Sequence, residues 1–246
     1  MSNPFEPGID SPVGHDSGSR DPVPMEIGAI VGRAWEIFTD NVGLVLGAIL
    51  IPVAVSIAFS APSSGVDVYY EMNHMEPDFG LSLGTQVFSL FGALINFFLT
   101  LGMIRIFTNL AYGLPAELGM LLDQGSRFLP ALGAAILMGL ATFFGFILLI
   151  VPGIIISLGL YFTLYSLLDR DLGPIQAMEE SWRLTYGFKG FLFVFNLVLG
   201  FAAVILMVVT CGFGYLLALP VLSLVQGVMY HSLMHIQNDS YDGDYA

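Results

Sequence analysis

Charged residues make up only 11% of this chain of 246 residues, and the basic ones number seven against 20 acidic. So few charges cannot clothe a soluble surface around a sequence that is 56% hydrophobic, with a mean hydropathy of +0.80. That excludes both an ordinary soluble domain and a disordered chain. The net charge of -13 excludes a nucleic-acid partner, because an acidic surface repels phosphates. Cysteine occurs once, at Cys211, so no internal disulfide can form. A lone thiol among apolar neighbours reads as packing. No basic segment followed by a short apolar run opens the sequence, so a cleavable secretory signal is not expected. No nucleotide motif, paired nucleophile and base, or metal cluster stands out, so no cofactor, no metal and no catalytic residue is assigned, and an enzyme is not expected.

What is present is long uncharged sequence. The stretches Asn41 to Val66, Phe79 to Ile104, Phe128 to Leu168 and Gly190 to Asn238 contain no Asp, Glu, Lys or Arg. A crossing helix needs roughly 20 residues, so the first two stretches hold one crossing each and the last two hold a pair. The third breaks at Val151, Pro152 and Gly153, and the fourth around Cys211 to Gly214, since Pro and Gly favour turns. The expected spans are 42–60, 86–106, 129–150, 153–169, 189–210 and 214–235. The fourth is short enough to be re-entrant. Residues 1–23, rich in Pro, Gly, Ser and Asp, form a disordered tail. Residues 24–237 form the helical membrane domain, and 238–246 an acidic C-terminal tail.

All seven basic residues fall on one side of these spans: Arg20, Arg33, Arg105, Arg127, Arg170, Arg183 and Lys189. The linker from Ala61 to Gly84 carries only acidic charge, with Tyr69, Tyr70, Met72, His74 and Met75. The positive-inside rule then puts both termini in the cytoplasm. On that side three segments each begin at a proline, whose fixed φ suits a first helical turn. After Pro24 the apolar positions are Ile27, Ile30, Val31, Ala34, Trp35 and Phe38. After Pro115 they are Leu118, Leu121, Leu122 and Gly125, and after Pro174 they are Ile175, Met178, Trp182 and Tyr186. The spacing predicts three amphipathic interfacial helices, each preceding a pair of spans. Arg33, Trp35, Arg105, Trp182 and Arg183 suit interfacial anchoring, tryptophan by its amphipathic ring and arginine by snorkelling. The fold class is therefore an all-α polytopic membrane bundle with about six transmembrane helices and three cytoplasmic amphipathic ones.

The stretch from Val151 to Gly190 carries Pro152-Gly153, a span, a turn from Asp169 to Pro174, Ala177, Ser181-Trp182-Arg183 and Gly187. It resembles the membrane domain attached to some bacterial glycerophosphoryl diester phosphodiesterases, also found free-standing in inner membranes. The first half agrees in layout, notably in Gly32-Arg33-Ala34-Trp35. The resemblance implies a bacterial inner-membrane location and a module without catalytic residues of its own. No phosphodiesterase activity carries over, because the soluble hydrolase domain has no counterpart here.

Within the spans, Asn96, Asn196 and Gln226 either bond between helices or line a polar cavity, with Thr100, Thr142 and Ser223 as further lining. His231 and His235 stand one turn apart without a carboxylate between them or a third ligand, which favours interfacial histidines over a metal site. Gly43 and Gly47 permit close helix approach, internally or along an oligomer seam; Gly28 and Gly32 repeat the spacing. The expected function is that of a non-catalytic accessory or scaffold subunit in contact with membrane lipids and protein partners. The alternative is a transporter or channel for a small or lipidic solute.

Overall fold

The computed structural model describes residues 20–73, 79–210 and 213–243, and all regular structure among them is helical. The elements are α1 (Ile27–Asp40), α2 (Val42–Met72), α3 (Phe79–Tyr112), a single 3-10 turn (Leu118–Leu121), α4 (Gly125–Leu148), α5 (Ile150–Gly159), α6 (Thr163–Asp169), α7 (Pro174–Leu184), α8 (Lys189–Val209) and α9 (Phe213–Gly243). Among the described residues five stretches are long and apolar enough to cross a membrane: α2, α3, α4, the α5–α6 pair over Ile150–Asp169, and α8. The sixth expected crossing, 214–235, falls within α9, the side chains of whose first turn lie outside the described residues, as does Cys211.

Consecutive spans form hairpins, α2 with α3 and α4 with α5, because their connections are short and both partners are apolar over most of their length. The middle of α9, from Leu224 to Met234, packs against neighbouring helices, α9 meeting α1, α3 and α8. Leu224, Val228, Met229, Tyr230 and Leu233 are buried there. Glycines permit the closest approaches. A Cβ on Gly227 would lie 2.9 Å from the Phe107 carbonyl oxygen of α3, and one on Gly102 would lie 2.3 Å from the Leu121 Cα. Away from this packed end Phe143, Phe144, Ile147, Val204 and Val208 are exposed as lipid-facing residues are.

Several expectations change. The segment after Pro115 makes one 3-10 turn instead of an amphipathic α-helix, and Leu122 is 68% exposed. Gly119 and Gly125 flank too short a segment to recover the cost of helix nucleation, and the turn is held instead by docking on Gly102. In α7 the buried stripe is Ala177, Ser181 and Leu184, whereas most of the expected stripe faces outward: Ile175 is 64% exposed, Trp182 is exposed and Met178 half-buried, and Tyr186, beyond the end of the helix, is exposed too. Small residues let helices approach while large apolar ones do as well in lipid as in protein, which accounts for Ala177 and Ser181 beside Leu184 on the buried face. On α1 Ile30, Ala34 and Phe38 of the expected stripe are buried together with Ile37, and Trp35 is exposed. The outer linker is largely helix: α2 continues through Pro62 to Met72 and α3 begins at Phe79, so Tyr69 and Tyr70 lie on α2, while His74 and Met75 fall outside the described residues. At the ends, α9 runs on through Gly243, and Arg20 is tied down by its backbone N–H to the Tyr112 carbonyl and by its side chain to Asp40.

Candidate functional site

The fourth crossing is the one that breaks. Between α5 and α6 the chain turns over Leu160 to Phe162, leaving the Phe162 N–H and the Gly159 carbonyl in need of partners within the protein interior. Ser181 of α7 repairs the break from both sides: its hydroxyl accepts the Phe162 N–H at 3.0 Å and donates to the Gly159 carbonyl at 2.9 Å. Thr185 donates to the same carbonyl. Ser181 and Thr185 are fully buried. α7 is itself set by Pro174 in its first turn and by the Gln176 side chain, which accepts the Gly173 N–H at 3.2 Å.

From this break a line of polar side chains runs through the bundle to its basic end. Tyr161, Tyr165 and Asp169 fall four residues apart and meet a helix of another segment in turn. The Tyr161 hydroxyl donates to Asn196 Oδ1 of α8 at 3.1 Å, and Asn196 Nδ2 donates to its own helix at Leu192. The Tyr165 hydroxyl donates to Gln226 Oε1 of α9 at 3.2 Å, and its ring lies 5.6 Å from that of Tyr230. Asp169 accepts from Tyr230 at 3.2 Å and from Tyr112 at 3.3 Å, and pairs with Arg105 at 3.7 Å. Arg105 also donates to the Leu168 carbonyl at 3.3 Å. The Tyr112 ring meets His231 edge-on at 4.4 Å. Four segments, α3, α6, α8 and α9, are thereby joined through one face of α6 and the turn before it.

Asn196 and Gln226 are thus brought into one polar line, and Asn96 is not. Asn96 Nδ2 donates to the Pro52 carbonyl at 2.9 Å, bridging α3 to α2, and borders a groove of about 430 Å³ shared with Ser56, Ser60 and Thr100. Arg105 turns to the C-terminal end of α6, at Leu168 and Asp169. Arg33 pairs with Glu36 on its own helix. Arg183 and Arg170 share Glu180, at 2.7 Å and 2.6 Å. Burial pushes the Glu180 carboxyl up, but the Arg183 hydrogen bonds and the two guanidinium charges outweigh it and hold the group below its ordinary range. Trp182 covers Gly159, where a Cβ would lie 2.3 Å from the indole. Gly47 faces Leu118 of the 3-10 turn, and Gly28, Gly32 and Gly43 have open space around them. His231 is buried and His235 exposed, and among the described residues no three His, Cys, Asp or Glu side chains gather as a metal would require.

The tyrosines and Asp169 were the residues that composition alone passed over. Their signal was a polar residue every fourth position, Tyr161, Tyr165 and Asp169, on an otherwise apolar span, matched by Gln226 and Tyr230 on the last one. Compared with known proteins, the chain matches no family model, no curated protein and no solved structure.

Proposed function

We propose that this protein is a non-catalytic membrane scaffold, an accessory subunit of the bacterial inner membrane with both termini in the cytoplasm, in contact with lipids and with protein partners. One observation carries the reading: the polar side chains best placed to line a pathway through the bundle, Asn196 and Gln226, are engaged by Tyr161 and Tyr165 in bonds between helices. Interhelical bonds of this kind fix packing and register. The exposed apolar side chains of α4 and α8 supply lateral surface for lipid or for the helices of a partner. In the family that residues 151–190 resemble, the membrane module likewise carries no catalytic residues. Co-purification in mild detergent tests the proposal. Retained protein or lipid is the expected result, and a chain that runs alone as a bare monomer overturns it.

The groove beside Asn96, with Ser56, Ser60 and Thr100 along it, favours a second reading, a transporter or channel for a small or lipidic solute. Proteoliposome uptake separates the two. A packing role predicts that Asn96→Leu changes stability and leaves flux unaltered, whereas a transport role predicts altered flux.

A further inference from the structure

Six of the seven basic side chains hold a carboxylate: Arg20 pairs with Asp40, Arg33 with Glu36, Arg105 with Asp169, Arg127 with Asp171, and Arg170 and Arg183 with Glu180. Among the described residues, Lys189 is the one basic side chain without an acidic partner. Its ammonium lies over the Trp182 ring, 3.2 Å from the centroid. Lys189 also opens α8, so the first amides of that helix lie beside it without intrahelical acceptors.

The same indole forms a wall of an apolar groove of about 430 Å³. Leu137 and Ala141 of α4, Leu160 at the break, and Ile175 and Met178 of α7 complete it, with Glu179 the only ionisable residue in the lining. An unneutralised cation therefore stands beside a hydrocarbon slot, where the chain's basic residues and an interfacial tryptophan mark the membrane boundary. We infer that this groove seats an acyl chain of an anionic glycerophospholipid, with the phosphate held at Lys189. The inference rests on the membrane-scaffold reading and names the lipid that the scaffold binds. Charge complementarity selects the occupant. An apolar partner helix would fill the slot and leave the ammonium without a counter-charge, whereas a phospholipid supplies both the chain and the charge. Glu179 opposes an anionic headgroup, so its neutralisation strengthens binding.

The chain has two tryptophans, so Trp35→Phe leaves Trp182 as the sole reporter in the full-length protein. The variant is reconstituted in phosphatidylcholine vesicles containing a minor fraction of either brominated phosphatidylglycerol or brominated phosphatidylcholine, and quenching of Trp182 is read against lipid fraction. Brominated phosphatidylglycerol is expected to quench at markedly lower fractions. One basic residue near an anionic lipid is worth about a fivefold change in apparent affinity, so Lys189→Gln should remove about that much of the preference. Lys189→Arg should keep it and Glu179→Gln increase it, with unchanged far-ultraviolet circular dichroism and unchanged elution in detergent showing that the variants fold. Equal quenching by the two lipids, or a preference that survives Lys189→Gln, overturns the lipid site and leaves the scaffold reading standing. No quenching by either lipid overturns the membrane placement of the groove as well, while the scaffold reading is judged separately by its co-purification.

Discussion

Replacing Asp169 with alanine takes one acceptor away from three neighbours at once. Tyr230 is fully buried and loses its hydroxyl's acceptor at 3.2 Å, Tyr112 loses its own at 3.3 Å, and Arg105 loses a counter-charge at 3.7 Å. A buried donor left without a partner costs about 1–3 kcal/mol. Both phenol contacts are longer than the usual O–H···O distance, so the low end applies, about 1 kcal/mol each. The Arg105 pair is about a third exposed on the arginine side and adds about 0–1 kcal/mol. Asp169→Ala should therefore destabilise the bundle by about 2–3 kcal/mol. Asp169→Asn, which keeps an acceptor and drops the charge, should cost about half as much. The assay is reversible unfolding in bicelles, followed for both variants, for Tyr230→Phe and for the double variant. Tyr230→Phe removes the donor that Asp169→Ala strands, so the double variant should recover about 1 kcal/mol relative to the sum of the two single losses. Strict additivity, or a loss for Asp169→Ala below about 0.5 kcal/mol, would show that the carboxylate does not join α3, α6 and α9.

Three further outcomes can be measured in the same system. Ser181→Ala should cost about 1–3 kcal/mol, because it orphans the Phe162 N–H and the hydroxyl's place at Gly159, and amide exchange at Phe162 should rise; unchanged exchange there refutes the repair. Gly102→Leu should displace the 3-10 turn, since even a Cβ would meet the Leu121 backbone at 2.3 Å; proteolysis between α3 and α4 should accelerate, while Gly28→Leu, at a position with open space, should not have this effect. Glu180 titrates below its ordinary 4.5 because Arg183 and Arg170 outweigh the effect of burial. Its stabilisation is complete above that pH and is lost as pH falls through the depressed value. Acid loosening of α7, followed by Trp182 emission, should therefore disappear in Glu180→Gln, and an identical acid limb in that variant counts against the pairing.

Much of the architecture was legible from charge placement alone. A carboxylate or guanidinium is costly within hydrocarbon, so the uncharged stretches had to contain the crossings. Five of the helices that bear out those stretches begin or end within a few residues of the expected positions or extend beyond them, as α2 does to Met72. What hydropathy misjudged was which face turns inward. On α7 the large apolar residues Ile175 and Trp182 are exposed, and the small residues Ala177 and Ser181 are buried beside Leu184. In water the larger apolar residue gains more from burial; beside lipid that difference vanishes and close fit decides. The polar line was only partly readable for another reason. Asn196 and Gln226 attract notice as amides within spans, but their partners are tyrosines, which look ordinary in an apolar helix until the fold sets them opposite an acceptor. Asp169 sat at a predicted span end, where a charge needs no explanation, and only the approach of α3 and α9 shows its three contacts.

The central position of α9 bears on how the molecule is made. The ribosome releases this helix after α1 to α8, yet its middle is buried among them. Earlier hairpins must then enter the bilayer as a loose group and keep a gap open for a latecomer. During that interval the hydroxyl of Tyr165 and the carboxylate of Asp169 await Gln226 and Tyr230, so quality-control proteases of the membrane would find the nascent chain most vulnerable just before its centre arrives.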